Sequence, residues 1–251
     1  MEIYSKFKRG LALSAVALLC YGMLKADKYK KIKPAGNGLA LLELFTSEGC
    51  SSCPPADKLL AKLEEEDNNL LVLSYHVDYW DHLGWKDPFS KAAFSQRQRQ
   101  YAKKFNLESV YTPQVIINGN EEMVGSDEDR LRTSLLKNHS LTALEVKFHR
   151  EDSSTISLTC KINNKETEEL NIAFVRPNAT TSVKKGENSG RTLQHVNVVY
   201  QLSTIHAGPG ELRTEIKIPD ALQSIPFKII LFLQRKKDGQ ILSVSNLNFP
   251  K

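Results

Sequence analysis

Apolar and polar residues alternate between two kinds of pattern along this chain, and the change falls near residue 140. Ala40–Thr46 is a short continuous apolar run, the length and composition of a buried strand. A cysteine turn follows, and then Pro54 and Pro55, which fit the first turn of a helix because a missing N–H costs nothing there. Leu59, Leu60 and Leu63 give that helix an apolar face, and Glu64–Asn69 ends it. Leu70–Val77 reads as a second buried strand, and Asp78–Phe89 as an aromatic loop. Residues 90–105 are polar and helix-forming, with Phe94, Tyr101 and Phe105 at helical spacing. Val115–Gly119 is a third strand, a turn leads into Glu122–Val124, and Asp127 caps a helix through Leu136. This order predicts a thioredoxin-like α/β domain over residues 39–140, a mixed sheet flanked by helices.

Beyond residue 140 the runs are short and separated by turn residues: Leu144–Phe148, Thr155–Ile162, Leu170–Val175, Val196–Leu202, Arg213–Ile218, Phe227–Gln234 and Ile241–Val244. Asp238-Gly239 is a hairpin signal between the last two. Residues 141–251 therefore predict an all-β sandwich-like domain. The polar stretch Asn178–Arg191, with Lys184 and Lys185, and with His195 just after it, reads as a solvated loop between strands. The competing reading has it closing over the cysteines or binding an anion.

Composition changes this picture at one end only. The 251 residues are 41% hydrophobic and 25% charged, an ordinary globular profile. The formal charge is +5, of which residues 1–26 hold an excess of three (Lys6, Lys8, Arg9 and Lys25 against Glu2), leaving +2 for the body. A body so near neutrality, without a basic stripe, argues against nucleic-acid binding. The basic stretch precedes the apolar run Leu11–Leu24, which is short for a membrane span and typical of an export signal. Residues 1–26 are thus expected to be a signal peptide or an N-terminal anchor, the only expected membrane contact. Residues 27–38 are expected to be a linker, and the protein to be periplasmic, secreted or membrane-tethered. Of four cysteines, Cys20 falls in the signal, Cys160 lies in a strand-like segment as a core residue, and Cys50 and Cys53 form a close pair.

Cys50-Ser51-Ser52-Cys53 between a buried strand and a helix is the signature with chemical content. A sulfur at a helix N-terminus is expected to be exposed and stabilised as a thiolate by the macrodipole and free N–H groups. Cys50 is then the nucleophile and Cys53 the resolving thiol. Thr112-Pro113 precedes a buried strand, where proline cannot donate to the ladder. In thioredoxin-like folds a cis-proline at this place lies beside the cysteines and receives the substrate. The loop Tyr75–Phe89 contributes His76, Asp78, Trp80, His82 and Trp85 as groove walls or proton-transfer groups at the end of a strand.

Four segments, ELFTSEGCSSCPPAD (43–57), YHVDYWDHLGWKDPFS (75–90), VYTPQVIING (110–119) and VGSD (124–127), resemble a secreted, thioredoxin-like family catalogued as domain of unknown function 1223. GENSGRTLQHVNVV (186–199) and IILFLQRKKDGQIL (229–242) are similar to it as well. The resemblance implies a thioredoxin-like fold with an appended β domain and no established reaction. The chain departs from thioredoxins proper at two places. Leu44 stands where a buried acid normally assists the resolving thiol, and Glu43 points to the opposite face by strand alternation. Gly49 replaces the aromatic residue usual before the first cysteine.

Three functions follow. The first is a thiol–disulfide oxidoreductase without a cofactor, whose partners are client thiols or disulfides and a redox partner. The second is a Cu(I) carrier using Cys50, Cys53 and His76, a soft donor set suited to that ion. The third is a non-catalytic binding module with a structural disulfide.

Overall fold

The computed structural model describes residues 30–31, 38–138, 140–164 and 168–250. The expected signal or anchor, Cys20 and most of the expected linker lie outside the described residues. No described helix is long and apolar enough to cross a membrane.

The elements of the first half stand where the pattern places them. β1 is a two-residue strand, Lys30–Lys31, and β2 spans Ala40–Thr46. Helix α1 spans Cys53–Glu66, β3 Leu70–His76, α2 Ala92–Lys104, β4 Gln114–Ile117, β5 Glu121–Val124 and α3 Glu128–Asn138. β2 and β3 are buried at every position, which is why they read as unbroken apolar runs rather than alternating ones. Ala40, Leu42 and Leu44 face the apolar stripes of α1 and α3, while Leu41 and Phe45 face α2 through Phe94 and Tyr101.

The predicted fold class fails at the edge of this unit. The second half contributes β6 (Thr142–Ala143), β7 (Glu145–Arg150), β8 (Thr155–Ile162), β9 (Glu168–Ser182), β10 (Thr192–Ala207), β11 (Gly210–Lys217), β12 (Phe227–Gln234) and β13 (Ile241–Phe249). β10 pairs in parallel with β3, and one nine-stranded mixed sheet runs β5-β4-β2-β3-β10-β9-β12-β13-β6 through both halves. A second sheet, β1-β7-β8-β11, shares an apolar core with β9, β12 and β13. The molecule is therefore mostly β, with three α-helices among the described residues. It is not a helix-flanked thioredoxin-like α/β unit followed by a sandwich-like domain. The physical reason is the length of β9 and β10, 15 and 16 residues. Their pattern alone predicts two short strands around a loop. The longer hairpin is free to lie along β3 and to extend past it.

Two further features weld the halves. The apolar core that holds Leu41, Phe45, Tyr75 and Phe94 also holds Ala173, Val175, Ile230 and Phe232. The turn at Gly119 (φ 65°) lies so close to the β12–β13 hairpin that a Cβ there would come within 2.2 Å of the Gly239 carbonyl, and Ile241 N–H donates to the Asn118 carbonyl at 2.9 Å. Glycine alone suits both the backbone angle and the approach.

Glu43 sits on the α2 side of β2, as strand alternation requires. Arg97 Nε donates to Glu43 Oε1 at 2.6 Å, and Tyr101 donates its hydroxyl to Glu43 Oε2. Arg97 also reaches Gln234 of β12 at 3.2 Å. Burial alone would lower the Arg97 pKa, but the Glu43 carboxylate outweighs it and holds the guanidinium charged. A buried pair loses most when one partner is removed, because the other charge is stranded. Glu43→Gln is expected to destabilise the protein by about 3–5 kcal/mol in urea unfolding, and Glu43→Gln/Arg97→Met to recover much of that loss.

Candidate functional site at the cysteine turn

The first turn of α1 places the cysteines, and the C-terminal ends of the parallel strands β2 and β3 place the groups beneath them. Cys50 and Cys53 form a disulfide with Cα atoms 5.5 Å apart. Ser51 and Ser52 are exposed. The exposed nucleophile expected from helix position is not what the fold presents: Cys50 is 0% and Cys53 1% exposed.

The cover comes from residues 183–191, the tip of the β9–β10 hairpin. Buried Asn188 donates through Nδ2 to the carbonyls of Glu48 and Cys50, both at 2.9 Å. Glu187 accepts from Ser51 N–H at 3.0 Å, and hydrogen bonding by the Ser51 side chain, together with that N–H, draws its carboxyl below the usual range. Arg191 Nη1 donates to Asn188 Oδ1 at 2.8 Å and orients the amide. The stretch read as a solvated loop is thus the lid of the cysteine turn. A Cβ on residue 49 would lie 2.9 Å from Trp80 Cβ, so the glycine lets the aromatic loop approach the cysteine turn.

Below the disulfide lies a buried polar cluster. Asp57 follows Cys53 by one helical turn on the inner face of α1. Its Oδ2 accepts from Thr46 Oγ1 at 3.0 Å, and its Oδ1 lies 3.2 Å from His195 Nδ1. His195 Nε2 lies 3.3 Å from Glu48 Oε1, and Glu48 Oε2 accepts from Trp85 Nε1 at 2.8 Å. Edge-on to His195, with ring centres 4.7 Å apart, stands His76. His76 Nδ1 meets Asp87 Oδ2 at 2.7 Å, and the same oxygen accepts from Glu48 N–H at 2.8 Å. Burial pushes the Asp87 carboxyl up, but the His76 imidazole prevails and holds it below its ordinary value. For His195 burial works against the charged form; the Asp57 and Glu48 carboxylates outweigh it and raise the imidazole to about 9.

The other residues singled out from the sequence are dispersed around this cluster. The Thr112–Pro113 bond is cis, and Pro113 is buried at the start of β4. Thr112 Oγ1 accepts from Trp80 Nε1 at 2.8 Å, which ties that segment to the aromatic loop. Asp78 is engaged with Ser95 of α2: its carboxylate accepts from the Ser95 hydroxyl, and its N–H donates to Ser95 Oγ. His82 is exposed on a single turn of 3-10 helix. The copper donor set would need the two sulfurs free of each other, and here they are joined in a disulfide. Cys160 is a packed residue of the second core, and burial pushes its thiol up to about 12. Sequence reasoning passed over Glu48, Asp57, Asp87 and Asn188. Asp57 carried a signal, since it stands on the stripe of Cys53, Ala56 and Leu60 where only apolar residues are expected.

With this geometry in view, residues 41–234 match the model of the protein family of unknown function DUF1223. The chain belongs to that family. Among solved structures it is similar to protein AGR_C_4864 from Agrobacterium tumefaciens, with 26% identity over 85% of this chain and 96% of that one, and a TM-score of 0.67. It is also similar in fold to HBP35 of Porphyromonas gingivalis, with 15% identity over 86% and 77% of the two chains and a TM-score of 0.53. No curated protein matches the sequence.

Two outcomes follow from the site. Asn188→Ala leaves two buried carbonyls without their donor, at a cost of about 1–3 kcal/mol. It is expected to speed reduction of the disulfide by a small thiol, read by alkylation of the freed cysteines. His195 supplies the pH dependence. Its folded pKa lies above the ordinary 6.5, so its stabilisation is complete below that value and fades as pH rises through about 9. In chelator-treated protein the unfolding free energy should fall by up to about 3 kcal/mol over that window. His195→Gln should flatten the profile.

Proposed function

We propose that this protein is an exported thiol–disulfide exchange protein in which Cys50 and Cys53 cycle between disulfide and dithiol against client protein thiols. The observation that carries this reading is the placement of the pair at the start of α1, one turn from the buried Asp57–His195–Glu48 cluster. A client thiolate attacks the Cys50 sulfur, the Cys50–Cys53 bond breaks, and the electron pair leaves on Cys53. Attack of Cys53 on the mixed disulfide reverses the step. The helix N-terminus favours a thiolate on Cys50. Because the sulfurs are enclosed, exchange requires the 183–191 hairpin tip to lift. Export rests on the basic N-terminus followed by the apolar run Leu11–Leu24.

Burial itself favours a second reading, a permanent disulfide that holds the turn for the hairpin to dock on. The reduction potential separates the two. Equilibration in glutathione buffers is expected to give a value in the range of about −120 to −270 mV shared by exchange proteins. A value below about −300 mV assigns the pair to structure. In parallel, Cys53→Ser should accumulate a mixed disulfide on Cys50 with a small disulfide reagent in native buffer, and Cys50→Ser should not.

A further inference from the structure

Each imidazole of the buried cluster has one nitrogen held by a carboxylate and the other turned inward. For His76 the outer partner is Asp87, at 2.7 Å from Nδ1. Its Nε2 is fully buried and has no hydrogen-bond partner. For His195 the outer partner is Glu48, at 3.3 Å from Nε2, and Nδ1 faces Asp57. One donor atom from each of Asp57, His76 and His195 lies within 4.8 Å of the other two. All three residues are buried.

An orphaned nitrogen in such a place is costly, since a buried polar atom without a partner gives up its hydration and gains nothing in return. Hydrogen bonding within the cluster does not account for it. The His195–carboxylate distances, 3.2 and 3.3 Å, are also long for charge-assisted bonds, which prefer about 2.7–2.9 Å. The distance between the two ligand atoms, 3.2 Å from Asp57 Oδ1 to His195 Nδ1, matches the roughly 3.3 Å edge of a tetrahedron whose centre lies about 2.0–2.1 Å from nitrogen and oxygen donors. The outer carboxylates on both imidazoles complete the arrangement that fixes histidine ligands around a metal.

The geometry points to a divalent-metal site of the zinc type, with Asp57, His76 Nε2 and His195 Nδ1 as ligands and Asp87 and Glu48 as the groups that orient the two imidazoles. Its ligands come from α1, from the end of β3 and from β10, so the ion ties the hairpin to the cysteine half of the sheet. Three protein ligands are the number found in sites that keep a fourth position for water or another donor. The site uses no sulfur, and it stands whether or not Cys50 and Cys53 exchange with clients.

The test uses the full chain, stripped of metal by a chelator and titrated with Zn²⁺ by calorimetry and with Co²⁺ by visible absorption. One Zn²⁺ per chain, a raised melting temperature on loading, and Co²⁺ ligand-field bands without sulfur charge transfer are expected. Asp57→Asn and His76→Gln should abolish saturable binding, and Asp87→Asn should weaken it about 10–100-fold. His82→Gln and Cys50→Ser/Cys53→Ser should leave stoichiometry and affinity unchanged. Circular dichroism of each variant shows whether it is folded, and the wild-type spectra decide the matter if one is not. Absence of saturable binding by the wild-type chain overturns the assignment. So does binding that vanishes with the two cysteines and survives His76→Gln.

Discussion

The parallel pairing of β10 with β3 sets the position of everything at the cysteine turn. Ser74 of β3 registers with Val198, and its hydroxyl donates to the Val196 carbonyl at 2.7 Å. With β10 fixed there, the left-handed Asn197 (φ 48°) and the residues before it turn onto α1. Asn197 donates to Glu64 near the C-terminal end of that helix, and His195 meets Asp57 near its start. The hairpin tip then has one place to go, over the disulfide. A strand that would be an open edge in a self-contained α/β unit is here an interior strand. The enclosure of the sulfurs follows from that single pairing.

Much of the local structure was legible because local causes produce it. β2 and β3 announced themselves as apolar runs of strand length, α1 by its prolines and leucines, and the cysteine turn by its position between strand and helix. Glu43 was placed on the far face from Leu44 by alternation alone, and the Arg97 pair confirms it. The joined sheet was not legible, because nothing local in Val196–Leu202 says which strand it will lie against. The lid was hidden for a related reason. Asn188, Glu187 and Arg191 are polar and flanked by glycines, the composition of any solvated loop. What distinguishes them is backbone carbonyls and an N–H more than 130 residues away in sequence. His195 was closer to visible. Leu193, His195 and Asn197 are buried at alternate positions while Gln194 is exposed, so the imidazole occupies an inward place on β10.

The site accordingly belongs to the whole chain. Residues 39–140 hold both cysteines, His76, Asp57, Glu48 and Asp87, but they lack the imidazole that bridges two of those carboxylates and the amide that covers the disulfide. Cut from the rest, that stretch would expose β3 along its length and leave Asp57 and Glu48 with a hydroxyl and an indole as their side-chain donors. Any reactivity measured on such a fragment would describe a different microenvironment, since thiolate stability and proton supply both depend on what surrounds the turn.

Charge balance is the strongest constraint on what this cluster holds. Glu48, Asp57 and Asp87 are all buried, and an unpaired buried carboxylate is strongly disfavoured. Their donors are two imidazoles, the Thr46 hydroxyl, the Trp85 indole and the backbone N–H groups of Glu48 and Phe89. Positive charge can enter this set through protons on His76 and His195 or through a cation between them. Protons suffice for His195, which has a carboxylate at each nitrogen. They serve His76 less well, because a proton on Nε2 would find no acceptor where that atom lies. A cation bound at that nitrogen supplies the charge and the missing partner at once. The same argument explains why the cluster needs β10: without His195, Asp57 and Glu48 would have no shared proton, and a cation beside Asp57 and His76 would lack its second nitrogen ligand.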